Sequence, residues 1–367
     1  MKKQKYKIGL YCLLMISIFC IVFFSAIFIN RKVITTRYDF TDLYQQSSKV
    51  ILFIGDGMGE NHIEVAKEFL DKKMVFENFS YQGKMSTFSK SLFLPTDSAA
   101  SATALATGTK VKNGSVSKKE DKNLEIITEY VKKLDKGVGI VTTDSLVGAT
   151  PAAFSSHANN RNDTKDIIEG QINSNIDLFL GAGVASYASY KEVFVEKNYL
   201  FTNDFGELSV EDEKIFGVFE EISNYNHQDT KPTLPKLVSF AIDFMEANFS
   251  NGYFLLVEAA HIDKMSHAKD ILKMISYLDE LNNAVDEATK KTINQDDIAI
   301  IVTADHETGK LAIPNGQDIN SHLYKSKSHT KRKVKFFIQL PNNQKIQRFP
   351  SQIDNTDIYK ICYQLIS

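Results

Sequence analysis

Along most of the chain, short apolar stretches alternate with longer segments of helical periodicity. The apolar stretches are rich in β-branched and aromatic residues, as in strands buried on both faces; they cover residues 49–54, 139–142, 177–180, 253–257, 298–302 and 335–338. Helical periodicity occupies residues 61–70, 123–134, 233–248, 271–291 and 355–366. Such alternation predicts an α/β fold in which helices cover both faces of a mostly parallel sheet. Residues 184–232 and 310–332 are polar and less regular, which indicates surface insertions.

The N-terminal segment has a different pattern. Residues 8–30 carry no charge and are preceded by four lysines. A segment of this length can span a bilayer as a helix, and it lacks a small-x-small cleavage site. Because the preceding lysines favour an N-terminus that stays inside, we predict a signal anchor over residues 1–30, a polar connector over 31–48 and a globular body over 49–367. That body would lie outside the cell membrane; a cleaved signal peptide and a secreted protein are the alternative.

Composition and charge narrow the classes of function. The chain has 367 residues, 43% of them hydrophobic, and a net charge of −2. Residues 1–32 hold six basic residues and no acid, so the rest of the chain is clearly acidic. An acidic body excludes a nucleic-acid-binding surface. If the body binds an anion, metal ions or single basic side chains must supply the positive charge. Cys362 is the only cysteine outside the predicted anchor, so the body cannot form an intrachain disulfide.

One stretch combines a nucleophile with the start of a helix. Asp97 and Ser98 precede a run of small residues that ends at Gly108. This pattern predicts a helix with an Asp or Ser N-cap and a glycine stop. The Ser98 hydroxyl would then lie beside unpaired backbone N–H groups and the positive end of the helix dipole, where phosphate binds well. Taken alone, the stretch is better explained as a capped and tightly packed structural helix, and the acidic and histidine residues elsewhere in the chain favour the functional interpretation.

Potential metal ligands follow the predicted strands. Three strands end in acidic or imidazole side chains: Asp56 after the first, Glu258 after the fourth, and Asp305 with His306 after the fifth. Asp263 and His267 are spaced i,i+4, and His329 precedes the last strand. Because ligands bind beyond the carboxyl ends of the strands in open α/β sheets, we expect these side chains to meet. Imidazole with carboxylate suits zinc, and an oxygen-rich subset suits magnesium. The candidates are Asp56, Glu258, Asp263, His267, Asp305, His306 and His329.

Five motifs resemble those of alkaline phosphatases and occur in the family's order. They are Gly55-Asp56-Gly57-Met58-Gly59, Thr96-Asp97-Ser98-Ala99-Ala100-Ser101, Ala149-Thr150-Pro151-Ala152, Val257-Glu258-Ala259-Ala260-His261-Ile262-Asp263-Lys264, and Thr303-Ala304-Asp305-His306-Glu307-Thr308-Gly309. The resemblance covers the chain from residue 49 to about residue 340. It implies a three-layer α/β/α catalytic domain over residues 49–367 that hydrolyses small phosphate monoesters. It also leaves a homodimer open.

The resemblance implies a role for each matching residue. Ser98 is similar to the serine that accepts the phosphoryl group. Arg161 is similar to the arginine that clamps the phosphate, and Asp97 would orient it. Lys264 is similar to a lysine that contacts phosphate through water, with an ordinary surface lysine as the alternative.

The implied cofactors are two zinc ions and one magnesium ion. Two metals roughly 4 Å apart stabilise both the entering and the leaving oxygen of an in-line displacement. The implied ligands are Asp263, His267 and His329 for one zinc, Asp56, Asp305, His306 and Ser98 for the other, and Asp56, Thr150 and Glu258 for magnesium.

Gly148 departs from the family pattern. Family members commonly carry Asp or His at this position, so the resemblance predicts a loosely bound magnesium here.

Two other hydrolases of the superfamily are weaker alternatives: Thr150, Glu258 and Arg161 argue against a phosphodiesterase, and no Cys/Ser-x-Pro-x-Arg segment is present for a sulfatase. A non-catalytic phosphate- or metal-binding surface protein would need a lost nucleophile or ligand. Three further histidines, His62, His157 and His261, match no ligand and are predicted to be structural.

Overall fold

The computed structural model describes residues 13–21, 38, 40–44, 47–222, 231–316, 318–341 and 349–367. The chain divides into two units, Met1–Asp39 and Phe40–Ser367. In the first unit, residues 13–21 are helical, and the rest of the predicted anchor over residues 8–30 lies outside the described residues. None of the described helices is long and apolar enough to cross a membrane.

A large sheet forms the centre of the second unit. Its strands are β1 (Lys49–Gly55), β2 (Tyr81–Ser86), β5 (Gly137–Ser145), β6 (Leu178–Ala182), β7 (Leu200–Thr202), β8 (Ile215–Phe219), β9 (Tyr253–Ala259), β10 (Ile298–Thr303), β13 (Val334–Gln339) and β14 (Gln352–Asp354). Within the described residues they lie in the order β14-β2-β13-β10-β1-β9-β5-β6-β8-β7, and β13 alone runs antiparallel to its neighbours. Two small ladders lie outside this sheet and pair β3 (Lys118–Lys119) with β4 (Lys122–Asn123), and β11 (Glu307–Thr308) with β12 (His329–Thr330).

Two groups of helices cover the sheet. The helices are α1 (Glu60–Leu70), α2 (Ser98–Thr107), α3 (Ile127–Lys133), α4 (Ala149–Ala153), α5 (Thr164–Asn173), α6 (Val184–Tyr187), α7 (Lys191–Glu196), α8 (Leu234–Asn248), α9 (His261–Ala268), α10 (Ile271–Thr292) and α11 (Asn355–Ile366). Helix α10 packs on α1, α8 and α9, whereas α2 packs on α4 and α11. Every residue of β1, β9 and β10 is buried, so both faces of the sheet centre are covered.

The six predicted strands and four of the five periodic helices are confirmed. The helix predicted over residues 123–134 covers only Ile127–Lys133, because Asn123 belongs to β4 and residues 124–126 between the two elements are irregular.

Two further expectations change. Residues 184–232 are not wholly a surface insertion, because β8 is completely buried and pairs with β6 inside the sheet. Gly217 at the centre of this short run weakens the strand signal, because glycine is depleted in strands. The second unit also begins before residue 49, because Phe40 and Leu43 of the predicted connector are buried in the core.

Four adjacent parallel strands bring their carboxyl ends to one edge of the sheet. In register, Ile54 of β1 lies between Thr303 of β10 and Glu258 of β9, and Glu258 pairs with Thr142 of β5. The loops after these strands therefore begin side by side. Gly57 allows one of them to turn sharply: its φ is +71°, and a Cβ there would lie 2.7 Å from the Asp263 Oδ1. Only glycine fits this conformation and this close approach.

Candidate metal centre and active site

The first cluster of potential ligands joins helix α9 to ladder strand β12. Asp263 and His267 lie one turn apart on α9, and His329 comes from β12. The His267 Nε2 is 3.2 Å from the Asp263 Oδ2 and 3.1 Å from the His329 Nε2. The His329 Nε2 is 3.7 Å from the Asp263 Oδ1. Two ligands of one tetrahedral zinc ion are roughly 3.4 Å apart, since each lies about 2.1 Å from the metal. The cluster therefore has the dimensions of a single zinc site.

Backbone carbonyls orient both imidazoles of this cluster. The His267 Nδ1 donates to the Lys327 carbonyl, and the His329 Nδ1 donates to the Thr96 carbonyl at 2.9 Å. A carbonyl can only accept, so each neutral ring carries its proton on Nδ1 and leaves a lone pair on Nε2. Two Nε2 lone pairs that face each other across 3.1 Å need a cation between them. The same two rings are then correctly held for metal binding.

The second cluster surrounds the Ser98 hydroxyl. The His306 Nε2 lies 3.4 Å from the Asp56 Oδ1, 3.2 Å from the Asp305 Oδ2 and 3.2 Å from the Ser98 Oγ. Both of these carboxylate oxygens are buried and lack a hydrogen-bond partner among the described residues. The other oxygen of Asp305 accepts from the backbone N–H groups of Gly57 and His306. The spacing again matches the ligands of one ion, and here a serine oxygen is among them.

Thr308 links the two clusters. Its hydroxyl donates to the Asp263 carboxylate and lies 3.3 Å from the His306 Nδ1. Because the hydroxyl proton is used on Asp263, the hydroxyl accepts from His306, whose lone pair is then on Nε2. The His306 and His329 rings stack with their centroids 3.6 Å apart, so the clusters adjoin. Sequence reasoning had no signal for this role of Thr308 beyond its place two residues after a ligand.

The electrostatics of the protein also favour bound cations. Burial, followed by the charge of Asp305, raises the pKa of Asp56 well above its usual range. Burial also raises the pKa of Asp305 to about 6 and that of Glu258 to about 7, and it lowers the pKa of His306 to about 4. These carboxylates therefore ionise reluctantly when they face only one another. A divalent cation would supply the missing positive charge, and the donor set of imidazole and carboxylate fits zinc.

The predicted third site lies at the ends of β9 and β5. Glu258 accepts from the Thr142 hydroxyl at 2.5 Å. The Thr150 hydroxyl is completely buried beside Glu258, where it opposes the burial that raises the pKa of that carboxyl, but it makes no hydrogen bond of normal geometry among the described residues. An orphaned hydroxyl beside a carboxylate fits an oxygen-ligated ion such as magnesium.

Asp144 is a neighbour of this site that sequence reasoning missed. Its carboxylate pairs with the Lys264 ammonium at 2.5 Å and raises the pKa of Glu258 after the larger effect of burial. A Cβ added to Gly148 would lie 3.7 Å from the Asp144 Oδ2 and 2.8 Å from the Ser145 carbonyl. The predicted strand ended at residue 142, whereas β5 continues to Ser145. Its true end would have marked Asp144 as another acid at this edge of the sheet.

The candidate nucleophile lies in the first turn of α2, as predicted. Asp97 is the N-cap: its Oδ1 accepts from the Ala100 N–H at 3.0 Å, and Gly108 ends the helix in a left-handed conformation. The second oxygen of Asp97 accepts from the Gly114 N–H at 2.9 Å and lies 3.7 Å from the Arg161 Nη1. Arg161 is 37% exposed and can present its remaining donors to an anion near Ser98.

The three other histidines of the body that were predicted to be structural contact neighbouring protein groups. None of them belongs to either cluster of potential ligands found among the described residues. The partners are Gly59 and Ser266 for His62, Ser117 and Glu129 for His157, and Thr143 for His261.

Comparison with known proteins agrees with this geometry. The family model for alkaline phosphatase matches residues 47–198 and 191–361. An alkaline phosphatase of Schizosaccharomyces pombe is 30% identical over 303 residues, which are 72% of this chain and 56% of that protein. Alkaline phosphatase 4 of Bacillus subtilis is 29% identical over 301 residues, which are 74% of this chain and 64% of that protein. The chain thus spans less than two thirds of the length of these relatives.

The fold agrees with that of a solved relative. A cold-active alkaline phosphatase from Shewanella sp. matches with a TM-score of 0.79 and 25% identity, covering 87% of this chain and 100% of that one. The region matched by the family model includes every residue of the two ligand clusters. On this combined evidence, the chain belongs to the alkaline phosphatase family.

Proposed function

We propose that this protein hydrolyses phosphate monoesters through a phosphoserine formed on Ser98. One observation supports the proposal most strongly: the Ser98 Oγ and two unpartnered oxygens, of Asp56 and Asp305, surround the His306 Nε2 at 3.2–3.4 Å. A serine hydroxyl among the ligands of a cation can be activated as a nucleophile. Two relatives that carry the name alkaline phosphatase support the same reaction.

Two zinc ions and one magnesium ion are the proposed cofactors. When bound, they would stabilise negative charge on the serine oxygen, the leaving alcohol and the transferred phosphate. The proposed ligands are Asp263, His267 and His329 for one zinc, Asp56, Asp305, His306 and Ser98 for the other, and Asp56, Thr150 and Glu258 for magnesium.

The chain's own side chains bind the phosphate and carry out the exchange of bonds. Arg161 can donate two parallel N–H groups to two phosphate oxygens, and Asp97, 3.7 Å away, would hold it in place. Attack by Ser98, which gives up its hydroxyl proton, forms the Oγ–P bond and breaks the bond between phosphorus and the ester oxygen, and the alcohol leaves with a proton. Water then forms a bond to phosphorus and breaks the Oγ–P bond, which releases inorganic phosphate and returns a proton to the serine oxygen. Lys264 stays a candidate for a water-mediated phosphate contact, with Asp144 fixing its ammonium group.

We also propose that residues 8–30 anchor the domain to the outer face of the cell membrane, with secretion as the alternative. Protease treatment of intact cells should then release an active domain. A soluble product that begins between residues 24 and 34 would show a cleaved signal instead. A homodimer is the proposed assembly, and nucleic acid is not a proposed partner.

The proposed reaction is tested by comparing ester classes. The full-length protein, supplied with zinc and magnesium, should release phosphate from an aryl phosphate and act far more slowly on an aryl phosphate diester or an aryl sulfate. Ser98→Ala should remove this turnover, whereas Ser239→Ala on α8 should not. Preference for the diester or the sulfate, or phosphate binding without turnover, would overturn the proposal.

A further inference from the structure

A cavity of about 300 Å³ opens between the segment of Lys90, residues 111–121 and Asn159. Four lysines line it together with Ser115 and Asn159, and we call it the basic pocket. Glu120 and Asp121 also line it, so the pocket has an excess of positive charge rather than a purely cationic wall. The lysines are Lys90, Lys112, Lys118 and Lys119.

These four lysines have no close counter-ion. Flanking lysines are paired, Lys84 with Glu60 at 2.7 Å and Lys110 with Asp354 at 3.0 Å. In the described part of the chain, none of the four pocket lysines has a carboxylate oxygen within 4.0 Å. Partial burial and the adjacent Lys119 ammonium lower the pKa of Lys90, and Glu120 opposes the shift. An anion bound beside neighbouring ammonium groups would offset their mutual repulsion.

Hydrogen bonds connect the segments that line the basic pocket to the proposed phosphate site. A series of hydrogen bonds joins the segment of Lys90 to the loop that holds Asp97. The Lys90 N–H donates to the Val111 carbonyl at 2.7 Å, and the Asn113 N–H donates to the Ser91 Oγ at 2.9 Å. The Gly114 N–H donates to the Asp97 Oδ2 at 2.9 Å.

Arg161 is held to the loop that contains Gly114. Its backbone N–H donates to the Gly114 carbonyl at 2.8 Å. Ser115 follows Gly114, and Asn159 lies two residues before Arg161. Since consecutive Cα atoms are about 3.8 Å apart, the pocket begins one or two residues from the groups proposed to bind the reacting phosphate.

We infer that the basic pocket binds a second phosphate group of the substrate, so that the protein prefers monoesters that carry another phosphate. The inference rests on the proposed function and names the substrate class of the same site. A phosphate dianion suits lysine because a flexible ammonium group acts as a compact point charge that can approach it from several directions. The pocket volume leaves room for a phosphate together with part of the group that joins it to the ester.

The experiment compares two substrates that differ only in the second phosphate. Initial rates of phosphate release are measured with glucose 1,6-bisphosphate and glucose 6-phosphate for the full-length protein and for the double variant Lys90→Met/Lys119→Met. Each exposed charge contributes a modest amount, so kcat/KM for the bisphosphate should fall about tenfold through KM. The fall for glucose 6-phosphate should be at least fivefold smaller. Added salt should diminish the preference for the bisphosphate in the parent protein.

Lys165→Met is the matched control, because Lys165 is an exposed lysine on α5 outside the pocket. It should leave the ratio of the two substrates unchanged. Equal losses on both substrates in the double variant, or no loss on either, would overturn the inference.

Binding separates the inference from the proposed function. If the parent hydrolyses neither the aryl phosphate nor the two sugar phosphates, the proposed function fails, and calorimetry of glucose 1,6-bisphosphate with Ser98→Ala still tests the pocket. Weaker binding after the Lys90→Met/Lys119→Met change would support the second phosphate site. Unchanged binding would refute it.

Discussion

Replacing Thr308 with valine removes one hydroxyl while nearly keeping the size of the side chain. That hydroxyl is buried, donates to Asp263 and accepts from the His306 Nδ1 at 3.3 Å. Thr308 thus contacts one residue of each ligand cluster without belonging to either. The substitution should loosen the orientation of both proposed zinc sites and leave every proposed ligand in place.

The size of the effect follows from the two lost contacts. A hydrogen bond to a charged carboxylate contributes about 1.5–3 kcal/mol, and one between neutral groups about 1 kcal/mol. Loss of a contact that orients a metal ligand usually weakens metal binding by about 10- to 100-fold, which is about 1.4–2.8 kcal/mol. Because Thr308→Val removes two such contacts in a buried place, we expect zinc affinity to fall by about 30- to 100-fold, in the upper part of this range.

Zinc transfer to a chromogenic chelator, followed to equilibrium, measures this affinity. Thermal unfolding followed by circular dichroism checks that the variant is folded. Thr292→Val is the matched control: it too removes a buried threonine hydroxyl, one that donates to the Ala288 carbonyl within α10. A folded Thr308→Val protein that holds zinc as tightly as Thr292→Val would refute the reasoning.

Three further predictions concern the metals. Chelation should abolish turnover, and zinc with magnesium should restore it better than either ion alone; full activity in protein shown by elemental analysis to be metal-free would contradict this. Magnesium affinity, measured by calorimetry, should fall about tenfold between pH 8 and pH 6, because burial raises the pKa of Glu258 to about 7 and the ion must displace that proton below this pH. An affinity that does not change with pH would exclude Glu258 as a ligand. Gly148→Asp adds a carboxylate near Glu258 and should lower the magnesium concentration for half-activation. It should also destabilise the fold by about 1–3 kcal/mol, because its Cβ would lie 2.8 Å from the Ser145 carbonyl. An unchanged magnesium titration in the folded variant would show that position 148 does not affect the third site.

The central strands could be predicted because their burial is continuous. Strands β1, β9 and β10 have neighbours on both edges and helices on both faces, so their sequences are apolar except near their ends, where Lys49 and Glu258 lie. Strand β2 lies nearer the sheet edge, its first four positions alternate half-buried with exposed, and it contains Gly83 and Lys84. Its place depends on pairing with β13, which is distant in the sequence, and no local pattern encodes that pairing.

The candidate ligands could be located because parallel strands end together. Asp56, Glu258 and Asp305 follow neighbouring strands, and that arrangement depends only on the strand pattern and its register. The contacts of Thr308 and Asp144 depend on the paths of loops, which the sequence does not specify locally. The link between Lys90 and Asp97 likewise requires a loop distant in the sequence to return beside α2.

The central claim is that substrate phosphorylates Ser98. The most direct measurement is mass spectrometry of the peptide containing Ser98, after the zinc- and magnesium-loaded protein is mixed with an aryl phosphate and quenched in acid. We predict one phosphate on Ser98, and none in chelator-treated protein or in Ser98→Ala. Rapid turnover of the same ester with no phosphate on Ser98 at any quench time, or with phosphate on another residue, would contradict the account.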